Sequence, residues 1–455
     1  MAGKYTSEFT LKALERVHWA KTDLRRGCRN SLTRGKHLIA DNFGIGDREA
    51  SALAQLDFPL DRSKTNDNCW PQLDAIRERD PVFWSTHQRA WMITRHEDVK
   101  AGLSDRRLSA ARLAPVFAKM PAAMIDKYQP LIDTLNQWIV AADAPFHTRM
   151  RKLLLQGFTT EAIESLRPFT QSAVDKLLDE AEQNKQIEFI QDFCFVLPAL
   201  VIMKLLGVHE SRLQEFKRWS MDIANLASRT RPTLEMMDKA LASVLAMDEV
   251  FRGLIAERRA DPQDDFLTAM VKARDEDDMM SDEEILACCS LIMFAGHETT
   301  TNQLGIGLLE LIHHPDQVEV LRQNSENIAA CSQELQRYNA TIGAAARIVL
   351  EDFEWHGKQL RKGQVVFLMV HAANRDPRVY ERAGELDLTR KNQYPLSFGP
   401  GIHFCLGHQL AKMELEITFK TIFSRFGSVE LLDRQADWNS SFVLRGLRQL
   451  NVRFH

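Results

Sequence analysis

The chain has 455 residues, of which 45% are hydrophobic and 26% are charged, as in an ordinary globular protein. Its 58 basic and 62 acidic residues leave a net charge of −4, which gives no reason to expect nucleic acid or an anionic membrane as a partner. No stretch comes near the roughly 18 uninterrupted apolar residues of a membrane span. The seven cysteines are scattered, apart from Cys288 and Cys289, so they form neither a disulfide framework nor a zinc-binding pattern.

The N-terminal segment, residues 1–55, differs from the rest because it is locally basic. It has no apolar core followed by a small-residue cleavage site, so we predict no secretory signal and a cytoplasmic location. Its sparse apolar positions favour a solvated helical extension over a membrane-surface helix or a targeting segment. We therefore divide the chain into an extension of unknown role, residues 1–55, and one large domain, residues 56–455.

The middle of the chain shows helical spacing or long apolar runs, which proline residues interrupt or end. The predicted helices cover residues 171–184, 191–207, 211–227, 233–259 and 282–312. Strand patterns are short and lie outside this block, at residues 90–95, 364–370 and 442–454. The sequence therefore predicts a single, mainly α-helical domain with small β-sheets.

One cysteine stands in a glycine-rich segment near the C-terminus, FGPGIHFCLG (398–407). Its glycines allow positive φ angles and a close approach of the backbone to a flat ligand. The amphipathic stretch that follows predicts a helix, whose N-terminal N–H groups and dipole favour the thiolate form of Cys405. Phe398 and Phe404 are suited to keep water away from the sulfur. On composition alone, a buried cysteine in a glycine-rich turn is an equally good interpretation.

A second unusual segment, AGHETT (295–300), lies in the centre of the predicted helix 282–312, which is otherwise apolar. Ala295 and Thr299 are four residues apart and share a face, where small side chains leave room for a ligand. We expect the Thr299 hydroxyl to bond to the carbonyl of Ala295 and to bend the helix. A helix kink packed in the core is the alternative. His297 is more typical of a packed histidine than of a metal ligand.

Both segments resemble the cytochrome P450 family. Residues 398–407 match its haem-binding signature, Phe-x-x-Gly-x-x-x-Cys-x-Gly, at every fixed position, and residues 295–299 match its Ala/Gly-Gly-x-Asp/Glu-Thr pattern. The resemblance implies that Cys405 is the axial iron ligand, whose thiolate favours O–O cleavage. It also implies that Glu298 and Thr299 are the catalytic acid–alcohol pair, which delivers protons to iron-bound dioxygen.

The resemblance also identifies residues that contact the cofactor. His147 and Arg151 lie four apart and match the family's His-x-x-x-Arg haem-propionate element, for which a chance pair on a solvated face is the alternative. Guanidinium groups suit carboxylates because they can bind them bidentately. The complete set that the resemblance implies for binding haem b is His147, Arg151, Ala295, Arg347, Phe398 and His403.

Glu334 and Arg337 are three residues apart and, read alone, would form a surface ion pair of little energetic value. The resemblance implies instead the family's structural Glu-x-x-Arg network. The segment that normally supplies its third partner, residues 380–390, has Ala383 and Leu386 where the family usually has Pro and Phe. Arg390 is the candidate for this third partner.

The resemblance implies a haem-dependent monooxygenase that inserts one atom of dioxygen into an apolar organic substrate and releases the other as water. The chain has no nucleotide-binding glycine fingerprint and no iron–sulfur cysteine cluster. We therefore expect electrons from separate proteins, a ferredoxin and its flavoprotein reductase. A peroxide-driven peroxygenase or isomerase is one alternative, against which the intact Glu298–Thr299 pair argues. A haem-based gas sensor is another, but the chain shows no attached output domain.

The resemblance places the small, apolar segment 340–346 beside the haem edge, and we infer there an apolar pocket that is unusually roomy around residues 343–346. Leu291, Ala295, Thr299, Phe442 and Val443 complete this predicted pocket. A ligand of about ten or more carbons would bind there at micromolar strength, at roughly 25 cal/mol per Å² of buried apolar area less the cost of association. The basic residues predicted to dock a ferredoxin near the cysteine loop are Arg149, Lys152 and Lys412.

Overall fold

The structure is a computed structural model that describes residues 56–60, 68–118, 120–227, 233–275, 278–323, 328–391 and 394–455. The predicted N-terminal extension, residues 1–55, lies outside the described residues. Helices form most of the described chain, which confirms the mainly α-helical class. In chain order they are α1 (Trp70–Arg79), α2 (His96–Ser104), α3 (Ala114–Phe117), α4 (Ala122–Asn136), α5 (Phe146–Leu155), α6 (Thr160–Glu164), α7 (Arg167–Asn184), α8 (Val196–Leu205), α9 (Leu213–Ala227), α10 (Leu234–Ala260), α11 (Phe266–Lys272), α12 (Asp282–His313), α13 (Pro315–Gln323), α14 (Ile328–Tyr338), α15 (Val370–Ala373) and α16 (His408–Arg425).

The strands are short and form small sheets around the helical body. They are β1 (Val82–Ser85), β2 (Ala90–Ile93), β3 (Leu108–Ser109), β4 (Gln186–Glu188), β5 (Arg274–Asp275), β6 (Asp278–Met279), β7 (Ala345–Val349), β8 (Phe353–Trp355), β9 (Lys358–Leu360), β10 (Val365–Leu368), β11 (Val429–Leu431), β12 (Asp437–Trp438), β13 (Leu447–Gln449) and β14 (Asn451–Phe454).

The largest sheet has the strand order β1-β2-β10-β7-β3. The β2–β10 pair is parallel, with Val366 opposite Trp91, and the other pairs are antiparallel. A second sheet, in the order β11-β14-β4, joins the C-terminus of the chain to its middle. The pairing of β3 with β7 matters for the site, because it brings two distant segments together beside the cysteine loop.

The central helix, α12, is 32 residues long and begins with a capping box. The Ser281 hydroxyl accepts the backbone N–H of Glu284 at 3.2 Å, and the Glu284 carboxylate accepts the N–H of Ser281 at 2.9 Å. Acidic side chains in the first turn also suit the positive end of the helix dipole. These local signals explain why the predicted start at residue 282 is confirmed.

The main hydrophobic core surrounds α12, which contacts α4, α8, α9, α10 and α16. Most of its side chains from Ile285 to Leu311 are buried, so the helix is apolar on nearly all sides. Polar groups in its centre therefore need partners within the protein. Among the described residues, no helix combines the length and the apolar character that a membrane crossing requires.

Two predicted boundaries were wrong. The helix predicted for 191–207 is divided, because a separate turn occupies Ile190–Cys194 before α8 starts at Val196. The strand pattern at 442–454 is only partly right, since residues 447–449 and 451–454 form strands, whereas Leu444 contributes a single bridge to Ile342. Residues 442–446 instead form an irregular segment that packs against residues 340–344.

Candidate active site

Cys405 lies in an irregular loop two residues before Gly407, which caps the N-terminus of α16. Gly399 and Gly401 have φ angles of 67° and 73°, in the left-handed region where glycine carries no Cβ penalty. The backbone N–H of Cys405 donates to the carbonyl of Phe398, with an N···O distance of 2.8 Å. The structure therefore has the predicted tight loop directly ahead of a helix.

The surroundings of Cys405 do not favour the thiolate by themselves. Burial raises the pKa of the Cys405 thiol to about 11, although the N–H of Gly407 and the guanidinium of Arg151 both act to lower it. The N–H of Gly407 at the helix N-terminus thus acts in the expected direction, but burial outweighs it. A coordinated metal ion would deprotonate such a thiol, so the sulfur suits a buried metal ligand.

The aromatic residues of the loop are less protective than the sequence suggested. The Phe404 ring is 36% exposed, and its edge packs on His408 with ring centroids 4.6 Å apart. Ile402, beside it, is 53% exposed. Of the two phenylalanines, Phe398 is the half-buried one and remains the candidate cover for the sulfur. The outer surface of the loop is consequently apolar.

Four of the predicted cofactor-binding side chains come together beside Cys405. The rings of His147 and His403 lie 4.2 Å apart, centroid to centroid. Burial, together with the charges of His147, Arg347 and Arg151, lowers the pKa of His403 to about 3. Burial also brings the pKa of Arg347 down to about 10. Groups from α5, β7 and the cysteine loop thus meet at one place, as the resemblance implied.

This cluster leaves positive charge and a polar atom unsatisfied. Asp143 is the carboxylate that acts on both His147 and His403, but its oxygens already accept the Ser109 hydroxyl and the Ala110 N–H. Nδ1 of His147 is buried and has no hydrogen-bond partner among the described residues. A ligand with carboxylate oxygens would satisfy the arginines and this nitrogen. The propionates of a haem therefore fit the donors present here.

Arg112 also belongs to this cluster, although no sequence pattern indicated it. Its charge lowers the pKa of Arg347, and burial lowers the pKa of Arg112 itself. Its Nη1 donates to the carbonyl of Val140 at 3.3 Å. The pairing of Ser109 with Ile348 places Arg112 near Arg347. Only this long-range register could have identified it, because the two arginines are far apart in sequence.

The centre of α12 has the hydrogen bond expected from its sequence. The Thr299 hydroxyl donates to the carbonyl of Ala295 at 2.7 Å, as predicted. Burial raises the pKa of the adjacent Glu298, and the side-chain amide of Asn302, which donates to Oε1 at 3.2 Å, partly opposes this. A carboxyl group and a hydroxyl group thus stand side by side in an apolar helix. Asn302 is the contact that sequence reasoning missed, and its i,i+4 spacing from Glu298 was the available signal.

The Glu334–Arg337 pair is fully buried, so the surface-pair alternative is wrong. Arg337 donates to both carboxylate oxygens of Glu334 at 2.7 and 2.8 Å, and both side chains are 0% exposed. Arg390 is a third partner, at 3.3 Å from Glu334, and the backbone N–H of Asp387 is a fourth at 2.9 Å. Arg337 also donates to the carbonyl of Ala383 at 2.8 Å. The network therefore fastens α14 to the segment that precedes the cysteine loop.

The expected roominess around residues 343–346 is wrong at its first positions. A Cβ on Gly343 would lie 2.0 Å from the carbonyl oxygen of Phe442. The N–H of Gly343 donates to the carbonyl of Val443 at 3.0 Å, and Ala344 is only 2% exposed. The small side chains are therefore required by close backbone packing, and they do not indicate free volume.

Two of the three predicted docking residues are occupied within the chain. Arg149 binds Asp278 and also Glu284, the latter at 2.6 Å, and Lys152 binds Asp275 at 2.5 Å. Both residues therefore already have acidic partners within the chain, and their docking role stays a prediction. Lys412 differs, because its Nζ lies 5.7 Å from the centre of the Phe398 ring of the cysteine loop.

Comparison with known proteins agrees with this geometry. Residues 83–445 match the cytochrome P450 family. The biotin biosynthesis cytochrome P450 of Bacillus subtilis (strain 168) is 33% identical over 383 residues, which cover 84% of this chain and 95% of that protein. The 6-deoxyerythronolide B hydroxylase of Saccharopolyspora erythraea is 33% identical over 390 residues, which cover 83% of this chain and 94% of the hydroxylase.

A solved structure is similar in its whole architecture. The crystal structure of P450BioI, in complex with hexadec-9Z-enoic acid ligated acyl carrier protein, has a TM-score of 0.79 and 31% identity. The similarity covers 86% of this chain and 99% of that one. Proteins of this kind contain haem and receive electrons from redox partners. With both the sequence and the fold matched over most of its length, the chain belongs to the cytochrome P450 family and is a monooxygenase.

Proposed function

We propose that this protein binds haem b through Cys405 and hydroxylates, or similarly oxidises, an apolar organic substrate. One observation carries the proposal: His147, Arg151, Arg347 and His403 converge beside Cys405 and leave charge and a buried nitrogen unsatisfied. When bound, the haem iron activates dioxygen, so that one oxygen atom enters the substrate and the other leaves as water. The protein's own side chains hold the cofactor and deliver protons, and separate redox partners supply the electrons.

The protein's part begins with holding the cofactor. Arg151 and Arg347 would hold the propionates of the cofactor, and Nδ1 of His147 would supply a further donor to them. Ala295 would leave space for the cofactor on the helix side, and Phe398 would cover the sulfur. The chain has no Cys-x-x-Cys-His element for covalent attachment, which favours haem b over a covalently bound haem.

Glu298 and Thr299 then supply protons to the oxygen that reacts. Because burial raises the pKa of Glu298, its carboxyl can hold and release a proton closer to neutral pH than an exposed glutamate can. The Thr299 hydroxyl both donates and accepts, so it can pass a proton on without becoming charged. An intact pair of this kind supports oxygen-driven turnover over the peroxide-driven alternative.

Electrons come from a ferredoxin and its flavoprotein reductase, since the sequence contains no nucleotide-binding or iron–sulfur element of its own. The cysteine loop offers them an exposed apolar surface, at Ile402 and Phe404, with Lys412 nearby. We place this activity in residues 56–455, in the cytoplasm, and assign no nucleic-acid partner. Residues 1–55 remain an extension whose role the proposal does not use.

The substrate is expected to be a compound with about ten or more carbons, because affinity must come from buried apolar area. P450BioI was crystallised with a hexadecenoic acid carried by a protein, which makes long acyl chains the first compounds to test. A spectral-shift screen of fatty acids, terpenoids, steroids and aromatics would identify the class.

The decisive experiment compares Cys405→Ala with Cys331→Ala, a variant of another buried cysteine. The reduced carbon-monoxide complex of the wild type should show the absorption band from which the family takes its name. The band should disappear in Cys405→Ala and persist in Cys331→Ala. Its persistence in Cys405→Ala would refute the assignment. Turnover with peroxide but not with NADH and a ferredoxin system would favour the peroxygenase instead.

A further inference from the structure

His297 lies between Gly296 and Glu298 in α12. Its side chain is completely buried and makes two hydrogen bonds. Its Nδ1 lies 2.8 Å from the hydroxyl of Ser220 on α9, and its Nε2 lies 3.0 Å from the carbonyl of Phe195, just before α8. The edge of its ring also packs on Phe195, with centroids 4.1 Å apart. We call these three residues the His297 bridge.

The chemistry of the His297 bridge fixes the tautomer of the histidine. A carbonyl oxygen can only accept, so Nε2 carries the hydrogen and donates to Phe195. Nδ1 must then accept, and the Ser220 hydroxyl donates to it. Burial lowers the pKa of His297 to about 4, and the nearby ammonium group of Lys217 acts in the same direction. The imidazole is therefore neutral at working pH, and both of its nitrogens have hydrogen-bond partners.

The helix needs such an external support at this point. The Ala295 carbonyl accepts the Thr299 hydroxyl, which weakens the regular hydrogen-bond ladder of α12 where the reaction takes place. On the side of α8, a Cβ on Gly296 would lie 2.5 Å from Cδ1 of Ile202, so the two helices touch there. One turn later the Thr301 hydroxyl donates to the Cys194 carbonyl at 2.9 Å. Neighbouring segments thus hold α12 at the same level at which the Thr299 hydroxyl weakens the helix's own hydrogen-bond ladder.

We propose that His297 is a positioning residue: the His297 bridge ties α12 to α9 and to the turn before α8, and so sets where Glu298 and Thr299 stand. The inference rests on the proposed role of that pair in proton delivery. Because Glu298 follows His297 directly, any shift of the helix backbone at His297 moves the carboxyl with it. Ser220 extends the effect to α9, so a displacement of α9 also reaches the oxygen side of the site.

The test uses the haem-loaded enzyme and the variants His297→Ala, His297→Gln and Ser220→Ala. Amide hydrogen exchange over residues 294–300 should become about threefold to tenfold faster in His297→Ala and Ser220→Ala, as expected for losing one buried hydrogen bond. His297→Gln can donate and accept at similar positions, and it should restore most of the protection. The matched control is Ser243→Ala, because Ser243 is also buried and its hydroxyl donates to Asp222 on α9 at 2.7 Å, a hydrogen bond that joins α10 to α9 and takes no part in the His297 bridge. This control should exchange like the wild type.

A second measurement separates positioning from mere stability. During NADH oxidation with a ferredoxin system, the hydrogen peroxide released per NADH should rise in His297→Ala and Ser220→Ala, fall back in His297→Gln and stay unchanged in Ser243→Ala. Wild-type exchange and a wild-type peroxide ratio in Ser220→Ala, the mildest variant, would overturn the inference even if His297→Ala failed to fold. An unchanged peroxide ratio in Thr299→Ala would instead overturn the proposed role of the pair, whatever the exchange data show.

Discussion

The two sides of the active site are built in opposite ways. The cysteine side, which consists of the loop 396–407 with His147, Arg151 and Arg347, collects charged groups from segments far apart in the chain. The helix side, residues 295–302 of α12, is one continuous segment, and hydrogen bonds rather than ion pairs join its polar groups. The buried Glu334–Arg337 network supports the cysteine side, and the neutral His297 bridge supports the helix side.

The two sides differ in what each is proposed to hold. In the proposed function the cysteine side binds the carboxylates of the cofactor next to fixed cations, whose cost of burial is met only when these anions are present. Proton delivery needs groups whose neutral and charged forms are close in free energy, and a strong ion pair would prevent that. Charged surroundings therefore suit the side that is proposed to bind the cofactor, and uncharged surroundings suit the side that is proposed to deliver protons.

The largest expected effect concerns the ion network of the cysteine side. Arg337→Ala would leave Glu334 buried with fewer partners and should lower the free energy of unfolding by about 3–5 kcal/mol. Urea unfolding would measure this, and haem content should fall with it. The control is Arg382→Ala, whose side chain is 57% exposed in its pair with Glu385 and which should cost about 1 kcal/mol or less. Equal losses of unfolding free energy in the two variants would contradict this prediction, since the buried network would then contribute no more than an exposed ion pair.

The next effect concerns the helix side. Thr299→Ala should bind haem normally, because no ion pair is lost, but product formed per NADH consumed should fall roughly tenfold or more, with hydrogen peroxide released instead. The screened compound that gives the largest spectral shift would serve as substrate. Thr299→Ser keeps the hydroxyl and should keep most of the coupling. Wild-type coupling in Thr299→Ala would show that the helix side does not deliver protons through this residue.

Glu414, on α16, is a buried acid that, unlike Glu334, has no ion-pair partner among the described residues. Its side chain is 0% exposed, neither oxygen has a partner among the described residues, and burial raises its pKa well above the ordinary value of 4.5. A raised pKa means that its contribution to stability is present below the unfolded pKa and is lost as pH rises through the folded one. Above pH 4.5 the wild type should therefore lose about 1.4 kcal/mol per pH unit relative to Glu414→Gln, until the folded pKa is passed. Urea unfolding at pH 5 and at pH 8 would measure the difference, and parallel curves would mean that the carboxyl has a counter-charge.

A smaller effect separates neighbouring cations of α5. Arg151→Ala should release haem to an excess of apomyoglobin about fivefold to tenfold faster, since a charged hydrogen bond to the cofactor is lost. Lys152→Ala should release it at the wild-type rate, because Lys152 points to Asp275 instead. Equal rates of haem release in the two variants would favour the alternative that Arg151 lies on a solvated face. Arg151 would then no longer count among the cations of the cysteine side.

Sequence patterns predicted what depends on short spacing. The tight loop around Gly399 and Gly401, the capped start of α12 and the bond from Thr299 to Ala295 all involve residues within a few positions of one another. Their geometry follows from local backbone preferences, so the sequence alone was sufficient. The family resemblance added the convergence of His147, Arg347 and His403, which no local rule could supply.

Sequence patterns missed what distant segments contribute. The N–H of Gly407 acts on the pKa of Cys405 in the expected direction, but burial outweighs it. Arg149 was expected to be available for docking, but Asp278 of the β5–β6 hairpin binds it. Gly343 was expected to leave space for a ligand, but the carbonyl oxygen of Phe442 lies 2.0 Å from where a Cβ would stand. In each case the deciding contacts come from other segments of the chain.

The smallest expected effect tests the outer surface of the cysteine side, where a redox partner would dock. Ile402 and Phe404 are exposed there, and Lys412 lies over Phe398. Because Arg149 already binds acidic side chains of its own chain, Lys412 is the predicted docking cation to test. Rim charges mainly change the rate of association and its dependence on salt, not the chemistry that follows.

Lys412→Glu should therefore slow reduction of the haem by an acidic ferredoxin about twofold to fivefold at low salt, and the difference should shrink near 0.1 M salt, where the Debye length is about 10 Å. Stopped-flow reduction across ionic strength would measure both. Lys420→Glu is the matched control, since Lys420 is exposed on the same helix two turns farther from the loop. If both reversals slow reduction equally, only the net charge of the protein matters. If only Lys412→Glu slows reduction, the partner docks over the cysteine loop. The cysteine side then serves electron entry as well as cofactor binding.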